Sequence, residues 1–326
     1  MGAVPGKRAQ GLLFVASAAV SFALAEVAVR LVSAGAGQPV GYAPVNTNLK
    51  ANRRDNSRGY RDLERSLAKP PDVRRLLSLG DSFAWGVGVE LEDAYPQRLE
   101  RGLNRVRGER WEVVNLAKPG LNTVDHLALL EKEGLGYAPD ALLIGYVLND
   151  SEDKDSAEAR RAAEWAPPSY PPQLLWDYSA LYRFVGTRLW ATAQNRRRVE
   201  GFRSMYADDA PGWLAGRQAL RRIGAICRER GVPWLVAIFP LLGNPLDDRY
   251  PFAEAHARVA QAATEAGAKA VDLLPAYRGL RWDLLVVDGA GDEHPNEIGH
   301  RIAARALLHA LDDVVPGEPP MPAPAQ

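Results

Sequence analysis

Two side chains in this sequence have a setting that suits nucleophilic chemistry: a serine at the end of an apolar run and a histidine in a loop far downstream. Ser82 closes the stretch Leu76-Leu77-Ser78-Leu79-Gly80-Asp81-Ser82, whose apolar run stops at Gly-Asp-Ser. Such a run reads as a buried strand delivering a hydroxyl to the rim of a sheet. In α/β folds that rim, at the carboxyl ends of the strands, is where ligands bind. A serine nucleophile needs a base to take its proton, a group that orients the base, and donors for the oxyanion. The chain has 5 histidines. His126, His256 and His309 fall within helical patterns, as surface or packing residues, and His300 lies one turn into the last helical pattern. His294, in Gly291-Asp292-Glu293-His294-Pro295-Asn296, follows the last apolar run and precedes the last helix, on the same rim as Ser82. Alone it reads equally well as a loop histidine opening a helix.

The elements that must position these residues are legible in outline. Apolar runs predict strands at Val73–Leu79, Glu112–Leu116, Ala141–Val147, Trp234–Phe239 and Ala268–Leu273. Helical patterns fall at Ala94–Val106, with Asp93 as N-cap, and at Val124–Glu133, Gln218–Arg230, Phe252–Ala266 and Glu297–Leu311. Strands alternating with helices predict an α/β fold with a five-stranded parallel sheet covered on both faces. The alternation breaks at residues 151–213, a segment containing Pro167-Pro168, Pro171-Pro172 and the aromatics Trp176, Tyr178, Tyr182, Phe184 and Trp190. An insertion of that size at a strand end forms either a lid or substrate wall, or a helical subdomain packed on the main body. The expected division is therefore a leader at 1–35, an extended arm at 36–70, a main domain at 71–312 carrying the insertion, and a disordered Pro-rich tail at 313–326.

Composition narrows the function classes. Forty basic and forty acidic residues cancel to a formal charge of zero, so no global field attracts nucleic acid. The single cysteine, Cys227, has no metal-ligand spacing and falls in a helical pattern as a small core residue. Gly86-Val87-Gly88 lacks the third glycine and acidic partner of a dinucleotide fingerprint. At the amino terminus, Lys7 and Arg8 precede an apolar run from Leu12 to Ala25. Ala23-Leu24-Ala25 offers a small-x-small cleavage site for a secretory signal. Continuing helically through Val32, the run gives about 21 residues, enough to cross a hydrocarbon core of about 30 Å as a signal anchor. Glu26 and Arg30, spaced i, i+4, can pair on one helix face near the outer interface. In either case the basic residues stay inside and the bulk of the chain is exported.

Four short blocks, each at a predicted strand end, together resemble the SGNH/GDSL hydrolases. They are Gly80-Asp81-Ser82, Gly120, Asn149 within Gly145-Tyr146-Val147-Leu148-Asn149-Asp150, and Asp292-Glu293-His294-Pro295-Asn296. The resemblance spans Val73 to Leu311 apart from the insertion; the arm motif Asn56-Ser57-Arg58-Gly59-Tyr60-Arg61-Asp62 and the apolar leader are similar to a membrane-attached bacterial branch. The resemblance implies a flavodoxin-like three-layer α/β/α arrangement, with Ser82 as nucleophile and His294 as general base. It implies an oxyanion hole made by the backbone N–H groups of Ser82 and Gly120 and the side-chain amide of Asn149. A glycine lets a backbone donor approach closely, and a neutral amide donates without competing as a base. The family usually places its triad aspartate three residues before the histidine, where this chain has Gly291. Asp292 is the first choice for that role and Asp288 the runner-up, with a backbone carbonyl as the remaining option. Asp81 is expected to hold the nucleophile turn by accepting backbone N–H bonds, and Asp150 to be structural.

These readings predict an exported SGNH-like esterase that transfers an acyl group from an oxygen ester to Ser82 and then to water, without metal or cofactor. Its partners are a small-molecule or glycan ester and, through the leader, a membrane, with no nucleic acid. An O-acetyltransferase or deacetylase of a cell-surface glycan is the alternative within the fold. A non-catalytic binding or assembly protein is the alternative from another class. The arm motif receives no chemistry from the sequence.

Overall fold

A computed structural model describes residues 6–35, 55–153, 173–287 and 293–315. The chain opens with α1 (Lys7–Gly35). β1 (Val73–Gly80) leads to the short α2 (Ser82–Trp85), then α3 (Tyr95–Val106), β2 (Arg110–Asn115) and α4 (Thr123–Lys132). After β3 (Ala141–Tyr146) come α5 (Gln173–Tyr178), α6 (Ala180–Ser204) and α7 (Pro211–Arg230). β4 (Trp234–Ile238), α8 (Ala253–Glu265), β5 (Lys269–Asp272), the short α9 (Leu274–Tyr277) and α10 (Glu297–Val314) follow. Two compact units result, one of residues 1–44 and 159–198, the other of 45–158 and 199–326.

The second unit is built on a five-stranded sheet in the order β2-β1-β3-β4-β5, parallel throughout. Every residue of β3 and β4 is buried, which explains why those strands read as continuous apolar runs rather than alternating ones. The chain moves one way from β1 to β2 and the opposite way thereafter. Right-handed crossovers therefore put α3 on one face and α4, α7 and α8 on the other. The packing agrees: α10 lies on α3, and α7 lies between α4 and α8. The reversal falls between β1 and β3, whose ends are level because Gly80 pairs with Gly145. In open α/β sheets such a reversal is where ligands bind.

The predicted α/β architecture is thus the observed one, with local differences. α3 starts at Tyr95, with Ala94 at the N-cap making no side-chain bond. Asp93 instead ends a 3-10 turn, and its carboxylate takes Arg98 as a partner at 2.5 Å. α7 begins at Pro211, seven positions before its predicted start at Gln218 and inside the segment assigned to the insertion. Proline at the first helical position suits that start, since its missing N–H would have had no partner there. α10 runs through Val314, and Arg107 donates to the carbonyl of Val315. Cys227 is buried in α7 as expected, and burial pushes its thiol up to about 12. Residues 36–54 of the arm, 154–172 of the insertion with its two Pro-Pro pairs, and 316–326 of the tail lie outside the described residues.

In the first unit, α1 includes a span from Lys7 to Val32 long and apolar enough to cross a membrane. The Glu26–Arg30 pair forms at 2.7 Å. The Glu26 carboxylate also accepts the backbone N–H groups of Ala180 and Leu181, each at 2.8 Å, and the hydroxyl of Ser179. Arg30 donates to the carbonyl of Tyr178. A side chain from α1 therefore caps the amino terminus of α6, where unpaired N–H groups favour an anion.

Candidate active site

Ser82 is the first residue of α2. Asp81, the N-cap, accepts the N–H of Phe83 on Oδ1 at 2.9 Å. This turns the chain sharply from β1 into the helix and leaves the Ser82 side chain half-buried at the rim, while Asp81 is fully buried. His294 arrives from the opposite end of the sequence. Its loop is held where Val286 bridges Pro295, the Val287 N–H donates to the His294 carbonyl, and the Asn296 N–H donates to Leu285. Asn296 then caps α10 by accepting from Ile298 and Gly299. So fixed, the imidazole lies beside the Phe83 ring, centroids 5.6 Å apart, and places Nε2 3.0 Å from Ser82 Oγ.

The serine hydroxyl has one proton and two acceptors in reach, His294 Nε2 at 3.0 Å and Asp81 Oδ2 at 3.3 Å. The same Asp81 oxygen receives Nδ2 of Asn149, also at 3.3 Å. Asn149 sits in the turn after β3 (Leu148–Ser151), next to β1 in the sheet. Asp81 thus does more than the turn-holding expected of it, because it also fixes which way the Asn149 amide faces. Burial raises its pKa; the bond from Phe83 and the nearby imidazole oppose that rise. Asp150 is fully buried as well, and burial with the charge of Asp81 pushes its carboxyl far up.

Gly120 occupies the loop after β2 with φ +80, a conformation glycine adopts without strain. Lys118 of that loop donates its N–H to the Gly80 carbonyl at 3.3 Å, which ties the loop to the end of β1. Hydrogen bonds therefore link Ser82 to His294 directly and to Asn149 through Asp81, and Gly120 lies on the adjoining loop. Asp292 and Asp288 both fall outside the described residues.

The other histidines have different surroundings. His126 is fully buried, with Nδ1 3.8 Å from the Asp150 carboxylate, and burial lowers its pKa to about 4. His300 accepts the Tyr95 N–H on Nδ1, and burial lowers it to about 3. His256 bridges Asp272 at 2.8 Å and the Tyr250 hydroxyl at 3.2 Å. That Tyr–His–Asp chain ends on the backbone, with the hydroxyl accepting the Leu241 N–H. His309 is exposed on α10.

Residues 78–302 match the GDSL-like lipase/acylhydrolase family, a span containing the serine, glycine, asparagine and histidine blocks. The chain belongs to this family. As a GDSL-like acylhydrolase it is an esterase of the SGNH type. Its fold is similar to that of TesA, at 17% identity and a TM-score of 0.47 over 74% of this chain and 100% of that one. A catalytic mutant of Axe2, an acetylxylan esterase from Geobacillus stearothermophilus, is similar at 18% identity and 0.48, over 77% and 97%. A two-domain esterase active on acetylated mannans gives 17% and 0.41, over 78% of this chain and 53% of that one. No curated protein matches the chain.

Proposed function

We propose that this GDSL-like enzyme hydrolyses oxygen esters through an acyl-enzyme on Ser82. The observation that carries the reading is the 3.0 Å contact between His294 Nε2 and Ser82 Oγ at the carboxyl end of β1. With Nε2 unprotonated, the imidazole takes the hydroxyl proton as Oγ attacks the ester carbonyl, then returns it to the departing alcohol. The N–H groups of Ser82 and Gly120 and the amide of Asn149 receive the negative charge that develops on the carbonyl oxygen. Water then repeats the sequence and releases the acid. Asp292 is the group we assign to orient His294, with Asp288 as the other choice. The ester is carried by a small molecule or a glycan.

Labelling with a fluorophosphonate tests this reading. The wild-type chain is expected to take the label on Ser82, and Ser82→Ala is expected to lose both label and turnover of a p-nitrophenyl ester while keeping its fold. Unchanged turnover by Ser82→Ala rejects the nucleophile. Product analysis with a carbohydrate acceptor separates hydrolysis from acyl transfer, because a transferase acylates the sugar faster than it releases free acid.

The location proposed is outside the inner membrane, with α1 retained as an anchor. The support is Glu26: cleavage after Ala25 would leave this carboxylate on the first residue of the mature chain, without residues 7–25 of the helix that holds it at the amino terminus of α6. Mass analysis of the membrane fraction is expected to find peptides from residues 7–25 in the mature protein; a mature chain starting at Glu26 rejects the anchor.

A further inference from the structure

The arm motif, to which the sequence assigned no chemistry, ends in a contact with the helix that carries Ser82. Asn56 Oδ1 accepts the N–H groups of Arg58 and Tyr60, and the Gly59 N–H closes on the Asn56 carbonyl. This tight turn sends three consecutive residues inward: Tyr60, Arg61 and Asp62 are 1%, 1% and 4% exposed. The Arg61 guanidinium donates through Nη1 to the carbonyls of Trp85 at 2.9 Å and Gly86 at 2.5 Å, and through Nη2 to Val89. It lies over the Trp85 ring, 4.7 Å from the centroid. Asp62 accepts the Asn115 N–H at 3.0 Å, and the Asn115 amide donates to the Ala84 carbonyl at 2.9 Å. Tyr60 lies under Lys118 Nζ at 4.3 Å, and so touches the loop of Gly120.

α2 has four residues. A helix that short has little internal hydrogen bonding, and its last carbonyls must find donors elsewhere. Ala84, Trp85 and Gly86 find theirs in Asn115 and Arg61. Charge-assisted bonds are stronger than neutral ones, and a cation at a helix carboxyl terminus complements the dipole. The amino end of the same helix has the buried Asp81. α2 is therefore held at one end by the Asp81 carboxyl and at the other by the Arg61 guanidinium, which comes from the arm.

We propose that Arg61 is a positioning residue for Ser82: by fixing the carboxyl end of α2 it sets the distance from Ser82 Oγ to His294 and to the oxyanion donors, and makes turnover depend on the arm. This rests on Ser82 being the nucleophile. Arg61 touches neither reacting atoms nor substrate, and it acts through the helix. A misplacement of about 1 Å at a reacting group costs about a hundred-fold in rate, so small rotations of α2 suffice.

The test compares full-length wild type, Arg61→Ala and Arg61→Lys for ester turnover and for the second-order rate of fluorophosphonate labelling, with circular dichroism to establish folding. Arg61→Ala is expected to lower kcat and the labelling rate at least about ten-fold with KM within about two-fold, since geometry rather than binding changes. Millimolar guanidinium is expected to restore part of the labelling rate in Arg61→Ala and none in wild type. Arg61→Lys keeps the charge without the planar fork, so it is expected to fall between the two, and it is the deciding variant if Arg61→Ala does not fold. Folded Arg61 variants labelled at the wild-type rate overturn the proposal, as does a loss of rate that only follows a loss of fold and is not rescued. Wild type unlabelled at Ser82 overturns the Ser82 reading, and this one with it.

Discussion

The imidazole Nε2 of His294 lies 3.0 Å from the hydroxyl oxygen of Ser82, across 212 positions of sequence. Neither residue reaches this position through its own element alone. Ser82 is turned out of β1 by the Asp81 cap, and His294 is held by the bridge between Val286 and Pro295. The carboxylate of Asp81 joins the two sides, since one of its oxygens meets both the serine hydroxyl and the Asn149 amide. The geometry of the Ser82 hydroxyl and that of the Asn149 amide are therefore set by one buried group.

Asn149→Ala removes the amide proposed as an oxyanion donor while keeping Ser82 and His294. By comparison with oxyanion donors in other serine hydrolases, kcat should fall about 10²- to 10³-fold, with KM little changed. Asn149→Asp should be at least as damaging, because a carboxylate cannot donate and is repelled by Asp81. Steady-state turnover of a short acyl ester measures both. An Asn149→Ala enzyme within two-fold of wild type removes Asn149 from the site.

Two buried histidines predict how stability responds to acid. His126 and His300 are lowered by burial from 6.5 to about 4 and about 3, so the fold holds both neutral. The unfolded chain takes up their protons near pH 6.5. Their contribution is complete above that pH and is lost as pH falls toward 4 and 3, at about 1.4 kcal/mol per pH unit for each histidine. Asp81 and Asp150 act oppositely, because raised carboxyls favour the fold below the unfolded value of 3.8 and lose that contribution as pH rises. A variant isolates one term. His300→Asn keeps an acceptor for the Tyr95 N–H and removes the titration. Denaturant unfolding between pH 6.5 and 4 should show a shallower decline for His300→Asn than for wild type. Parallel curves contradict the assignment.

The sheet and the Ser82–His294 pairing were readable because both leave local marks. Buried parallel strands appear as unbroken apolar runs, and the residues at their ends stand between those runs and polar loops. What could not be read depends on pairing across distance. Arg61 reaches carbonyls 24 to 28 residues away, and nothing in Tyr60-Arg61-Asp62 marks it as buried. Asp93 looked like a cap, yet it serves Arg98, since an acidic residue before a helix suits either role. The start of α7 at Pro211 was hidden by the insertion's prolines and aromatics, which break any periodic pattern. Glu26 was readable as a partner of Arg30 but not as the cap of α6, 154 positions away.

Gly86 ends α2 with φ +82. A Cβ there would lie 2.7 Å from the Ala94 Cβ and 2.9 Å from Arg61 Nη1. Gly86→Ala should therefore both strain the backbone and displace the guanidinium, costing about 1–3 kcal/mol of stability and lowering kcat. Gly231, at φ +65 with open space around its Cβ position, provides the contrast. Gly231→Ala should lose stability from backbone strain alone and leave kcat unchanged. Thermal melts beside steady-state kinetics separate the two effects, and equal kcat in both variants contradicts the prediction.

The aspartate behind His294 is decided by kinetics on two substitutions. A carboxylate on Nδ1 holds the imidazole in the tautomer whose Nε2 accepts the serine proton, and replacing it by an amide favours the wrong tautomer while preserving shape. In other serine hydrolases that change lowers kcat about 10⁴-fold. Asp292→Asn is expected to show a loss of that order with KM and folding preserved, and Asp288→Asn less than about a ten-fold loss, since only one of the two can occupy Nδ1. The reverse pattern transfers the role to Asp288. If both variants keep wild-type turnover, neither aspartate orients the histidine, and Nδ1 donates to a backbone carbonyl instead.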